Sequence, residues 1–153
     1  MTNKVIVDAD ACPVKPEIVR TASAFGIEVW MVASFDHRLA PAEGVKVIQV
    51  DRSDQSVDLY IANRIGKGDI LVTQDFGLAT IGLAKQAVVL SNRGQVYTDR
   101  TINFLLENRH EQAKKRRGGK HTKGPRPFTD EDRQRFQQTL TKVLKVLQEN
   151  LQV

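Results

Sequence analysis

Five short apolar runs recur along the chain, at Val5–Val7, Ile27–Ala33, Val45–Val50, Ile70–Thr73 and Ala87–Leu90. They are nearly continuous and lack the in/out alternation of a strand with one wet face. They therefore read as strands covered on both sides. Helix-length patterns separate most of them, at 16–25, 54–66 and 76–86. Alternating β and α units predict an α/β fold, a three-layer α/β/α sandwich of Rossmann-like type built on a mainly parallel sheet. One connection is an exception. The stretch Ser34–Gly44 between the second and third strands is short for a crossover helix, and it leaves the direction of that pairing open.

After the fifth run, Ser91-Asn92-Arg93-Gly94 forms a turn, and a helix is expected from Arg100 to Arg117. Gly118, Gly119, Gly124, Pro125 and Pro127 break helical structure beyond it. A last helix begins at Phe128-Thr129, with Thr129 as cap and Asp132 three residues on, near a capping box. Its Phe136, Leu140, Val143, Leu144, Leu147 and Leu151 make one apolar stripe, expected to pack on the same domain. The chain is thus read as an α/β domain over 1–108, a basic Gly/Pro-containing segment over 109–127 and a C-terminal amphipathic helix over 128–153.

A length of 153 residues suffices for one well-buried core. No apolar run approaches the ~18–20 residues of a membrane span, and the N-terminus has no signal-peptide pattern. The lone Cys12 excludes an internal disulfide framework and fits a reducing compartment, so a cytoplasmic location is expected. The charge is uneven. Between Arg109 and Arg126 eight basic residues face Glu111 alone, so the net +5 of the chain originates in this stretch. Localised positive charge is the electrostatic footprint of nucleic acid or another polyanion, and the partner expected is RNA, bound through Arg109, Lys114, Lys115, Arg116, Arg117, Lys120 and Lys123. A solvated charged linker is the other reading of the same residues.

Two of the buried runs end in acid. Asp8 closes the first and Asp10 follows it; Asp75 follows the fourth. Carboxylates at strand ends sit on the rim where α/β sheets place their sites, and hard oxygen ligands there suit Mg²⁺ or Mn²⁺. If the first and fourth strands are neighbours, about 4.8 Å apart, their acids can reach one cation. Asp58 adds a third position, flanking the stripe of Val57, Tyr60, Ile61 and Ile65. Each acid also has a plainer reading: Asp8 as a solvated strand end, Asp10 in an Asx-turn, Asp75 as a helix cap, and Asp58 as a half-exposed residue of a helix capped by Asp54. Lys15 and Arg93 lie at the same carboxyl edge and are candidates to neutralise a substrate phosphate. Cys12 lies near the acids, but no histidine is placed to activate it, and a structural role is expected.

Asp8-Ala9-Asp10-Ala11-Cys12-Pro13 resembles the bacterial YaiI/YqxD family. The resemblance continues through Asp69 to Asp75, Arg93-Gly94, Thr122-Lys123-Gly124-Pro125 and Phe128-Thr129 with Asp132-Arg133, and so covers essentially the whole chain. That family is similar to PIN-like domains, many of which are Mg²⁺- or Mn²⁺-dependent ribonucleases with an acidic pocket. The resemblance implies a PIN-like fold and catalytic, metal-binding roles for Asp8, Asp10, Asp58 and Asp75. PIN domains often carry a glutamate on an early helix; Glu17 matches that position poorly, which leaves Asp58 to serve. Two other functions fit parts of the pattern. One is a PIN-like scaffold that binds RNA without cutting it. The other is a phosphatase in which Asp8 of Asp-x-Asp is the nucleophile and Asp10 the acid/base.

Overall fold

A computed structural model describes residues 3–34, 42–51, 54–119 and 126–151, with the side chains of 54, 55, 150 and 151 left aside. Five strands form one sheet: β1 (Lys4–Asp8), β2 (Glu28–Ser34), β3 (Val45–Val50), β4 (Ile70–Val72) and β5 (Val88–Leu90). The helices are α1 (Lys15–Ala24), α2 (Asp54–Arg64), α3 (Phe76–Ala84), α4 (Asp99–Arg117) and α5 (Asp130–Leu151). The fold is α/β, and the sheet runs β3-β2-β1-β4-β5 with every pairing parallel. The direction left open at 34–44 is therefore settled: Val29 pairs with Val45 and Ser34 with Val50 in parallel register.

Alternation of side chains along each strand sorts the core into two halves. Val5, Val7, Val29, Met31, Ala33, Ile70, Val72 and Leu90 face α1 and α5, where Ile18, Ala22, Phe136, Leu140 and Leu144 meet them. Ile6, Val32, Leu71 and Val89 face the opposite way, onto Val57 and Ile61 of α2, Leu78 and Ala79 of α3, and Ile102 of α4. These are three layers, with the apolar stripe of α5 spent on the core of the same domain. The continuous apolar runs follow from this, since both faces of β1 and β4 are dry.

Local chemistry fixes the helix ends. Pro16 sits in the first turn of α1, where its missing N–H costs nothing. Gly26, at φ +67°, closes that helix: its N–H donates to the Ser23 carbonyl and that of Ile27 to the Ala22 carbonyl, a Schellman end. At α5 the capping box is complete. The Asp132 N–H donates to Thr129 Oγ1 at 3.2 Å, while Asp132 Oδ2 accepts from the Thr129 N–H at 3.0 Å.

The same Asp132 ties the entry of α5 to the rest of the domain. Its carboxylate accepts from Arg93 at 2.8 Å, from both terminal nitrogens of Arg126 at 2.8 and 2.6 Å, and from Arg135 at 3.4 Å. The Arg126 guanidinium, first among these, holds the Asp132 carboxyl well below the usual carboxylate range. Gly94 lets the turn after β5 lie against α5. Its φ is +84°, and a Cβ there would stand 2.8 Å from the backbone of Arg135 and Phe136.

Candidate functional site

The chain leaves β1 for β2 on one side and later inserts β4 on the other, so the strand order reverses between β1 and β4. A crevice opens outside the carboxyl ends at such a point, and α/β proteins use it for ligands. Asp8 ends β1 on one lip, and Thr73-Gln74-Asp75 leaves β4 on the other.

Thr73 joins the two lips. Fully buried, its hydroxyl donates to Asp8 Oδ2 at 2.9 Å and accepts the Asp75 N–H at 3.0 Å. Asp75 caps α3, with Oδ1 accepting the Leu78 N–H at 3.0 Å. Asp10 is held from the neighbouring strand, where the Ser34 N–H reaches Oδ1 and Oδ2 at 3.2 and 3.3 Å. Ala11 follows in the left-handed region at φ 59°, a conformation that is strained for a side-chain-bearing residue.

The acids feel one another. Burial pushes the Asp8 carboxyl up to about 6, against the lowering effect of the Thr73 hydroxyl, and the charges of Asp58, Asp10 and Asp75 raise it further. Asp58 is raised as well, by burial first and by Asp75 second. The four predicted acids thus share one electrostatic environment, and α2 brings Asp58 to it. The donor set consists of hard oxygens, which suits Mg²⁺ or Mn²⁺, and the mutual repulsion is what a cation would relieve. Among the described residues no three carboxylate, imidazole or thiol groups already stand together as a ligand cluster, so gathering them on one ion calls for side-chain rotation.

The other expected residues fall in different places. Lys15 opens α1 as its first residue, half-buried, rather than sitting in the preceding loop. The Arg93 guanidinium turns toward α5, onto Asp132 and the carbonyls of Pro127 and Arg126. Arg109, Lys114, Lys115, Arg116 and Arg117 ride on α4, all exposed. Lys120 and Lys123 lie outside the described residues.

Cys12 is buried and donates weakly to Asn92 Oδ1 at 3.6 Å; burial pushes its thiol up to about 11, far from a thiolate nucleophile. Glu17 is buried on α1 and bound by Arg133 at 3.0 and 3.2 Å. That pairing is the physical reason it does not join the acids.

The link that Thr73 makes between Asp8 and Asp75, and the part played by Ser34, escape a reading of the sequence, in which Thr73 serves only as a strand-end hydroxyl for the phosphatase alternative. Thr73 carried a faint signal, a hydroxyl two residues before a strand-end acid. Ser34 carried none, because its contribution is a backbone N–H.

A family model described as "Uncharacterized BCR, YaiI/YqxD family" matches residues 6–146. A UPF0178 protein of Halalkalibacterium halodurans is 47% identical over 141 residues, covering 92% of this chain and 90% of that protein. One from Listeria welshimeri is 46% identical over 142 residues, covering 93% and 95%. Among solved structures, Rae1 (YacP) from Bacillus subtilis, crystallised as a W164L mutant, is similar at a TM-score of 0.45 and 15% identity, over 95% of this chain and 99% of that one. A likeness at that level carries no conclusion about activity.

Proposed function

The chain belongs to the YaiI/YqxD family, and from the chemistry of its acidic crevice we propose that it is a divalent-metal-dependent phosphodiesterase acting on RNA, with a PIN-like active site. One observation carries this reading. Asp8 ends a central strand at the crevice, joined to Asp75 through the Thr73 hydroxyl, and burial first, then the charges of Asp58, Asp10 and Asp75, push its carboxyl up to about 6. Carboxylates concentrated at a switch-point crevice cost stability, and a cation-dependent reaction is a reason to keep them.

Asp8, Asp10 and Asp75 are the residues that would hold Mg²⁺ or Mn²⁺, which supplies Lewis acidity toward a phosphodiester and lowers the pKa of water. The roles of the side chains follow from their surroundings. Thr73 fixes the rotamer of Asp8 and the entry into α3, so that both lips of the crevice keep one geometry. Asp58, with its raised pKa, is suited to accept a proton from the attacking water. The exposed cations of α4 bind the flanking backbone without reading sequence.

A second reading, RNA binding without cleavage, is favoured by the absence of a ready three-ligand cluster among the described residues. Mn²⁺-dependent cleavage of single-stranded RNA, beside Asp10→Asn and Asp75→Asn, separates the two. Asparagine caps helices as well as aspartate does, so Asp75→Asn keeps α3 intact while removing a charge. Cleavage lost in both variants and with chelator supports the phosphodiesterase. Binding that is equal in all three proteins, with no cleavage, leaves the binding module.

A further inference from the structure

The two aromatics beside the basic stretch have opposite environments. Phe128 is half-buried against the core and lies between two guanidiniums, 5.6 Å from Arg93 and 5.3 Å from Arg133. Phe104, on α4, is 68% exposed and is the one aromatic among the described residues left open to solvent to that degree. It lines a shallow surface groove with Arg100, Asn103, Leu106, Glu107 and His110.

A protein partner reading a helix needs apolar anchors at i, i+3, i+4 and i+7. Around Phe104 those positions hold Glu107, Asn108 and Glu111, and Arg100 lies one turn before. Leu106, also exposed, is two positions on and so about 200° round the helix at 3.6 residues per turn. Phe104 and Leu106 border the same groove without forming a helical apolar stripe, and the other residues lining it are polar.

The charges around it are arranged along the helix. Six cations and three acids lie on α4, and four of the cations, Lys114 to Arg117, close its last turn. Lys115 returns to the face of Phe104 about 16 Å further along the axis. Arg100 and Lys115 stand at the two ends of this face, with Glu107 and Glu111 keeping the middle from being cationic. A strand whose phosphates meet the ends presents a base, not a phosphate, to the middle. Aromatic rings beside basic tracks are how single strands are held without sequence preference.

We infer that Phe104 is a stacking platform for a base of single-stranded RNA whose backbone runs along α4 toward Lys114–Arg117. The inference rests on the reading of the chain as an RNA-binding protein, not on its cleaving RNA.

The test is binding of a fluorescein-labelled 12-nucleotide oligoadenylate RNA, and of an abasic strand of equal length and charge, in EDTA by fluorescence anisotropy. Phe104→Ala is expected to weaken the oligoadenylate about 5- to 150-fold, the span for loss of one stacked base. Phe104→Trp is expected to restore it, with indole fluorescence quenched on binding. The abasic strand is expected to bind all three proteins alike. Equal oligoadenylate affinity for Phe104→Ala and the parent overturns the proposal, as does equal weakening on both strands or failure of Phe104→Trp to restore binding. A parent that binds no RNA, or a change of oligomeric state in Phe104→Ala, overturns it too. Cleavage, assayed separately with Mn²⁺, bears on the phosphodiesterase alone, so either reading can fail without the other.

Discussion

The Thr73 hydroxyl spans the crevice between β1 and β4, donating to Asp8 Oδ2 at 2.9 Å while it takes the Asp75 N–H at 3.0 Å. One buried oxygen thus sets the position of two acids from different strands. Thr73→Val keeps the shape and removes the oxygen, leaving the Asp75 N–H and the Asp8 carboxylate without this partner. The expected cost is about 1–3 kcal/mol by urea denaturation. Asp8 also loses its charge-favouring hydrogen bond, so its titration should move above about 6 by NMR. Thr73→Ser should restore both, and a Thr73→Val protein of parental stability and titration would show that the contact is incidental.

Stability should depend on pH through Asp8 with a definite sign. Its carboxyl titrates near about 6 in the fold against 3.8 ordinarily, so between those values the folded state holds the proton more tightly than the unfolded chain. The contribution of Asp8 to stability therefore falls as pH rises through that window, and the full penalty stands above it. Asp8→Asn is expected to stabilise the protein at pH 8, on the order of 1–2 kcal/mol once solvent contact is allowed for. Near pH 4 the gain should vanish. Asp132 behaves in the opposite sense. Its carboxyl is held below the ordinary range, so its contribution is present at neutral pH and is lost only in acid.

Divalent metal should act on the same group. With Mn²⁺ at roughly ten times its dissociation constant, the melting temperature at pH 7.5 is expected to rise by about 3–5 °C. The Asp8 titration should move down, because a bound cation favours the carboxylate. Neither effect should survive in Asp8→Asn. A thermal shift of equal size in parent and variant would place any bound metal elsewhere.

Gly94→Ala tests the docking of α5. A methyl group there meets the backbone of Arg135 and Phe136 at 2.8 Å, in a residue at φ +84°. Backbone cannot rotate away as a side chain can, so a loss of about 2–4 kcal/mol is expected in chemical denaturation.

Much of this architecture was legible from pattern alone. Val5–Val7 and Ile70–Val72 read as doubly covered strands because both of their faces are in fact dry. Thr129 and Asp132 read as a capping box because that motif is local, complete within four residues. Long-range facts were not legible in the same way. The parallel direction of β3 depends on where a short connection lands, which no local preference encodes. Arg93 reads as a cation for a substrate phosphate because its partner, Asp132, is 39 positions away in the chain. At the crevice, the type of Asp8, Asp10 and Asp75 and their place after buried strands are visible in the sequence. Their coupling through Thr73 and the Ser34 N–H required the fold.

The packing of α5 has a consequence for synthesis. Phe136, Leu140 and Leu144 pack on α1 and complete the half of the core that also holds Val5 and Val7 of β1, all of which leave the ribosome before α5. At about 5–20 residues per second, that half of the core waits roughly 5–20 s for its cover. Through that interval the nascent chain carries a sticky aliphatic face, and β1 and α1 depend on a helix translated much later for their cover.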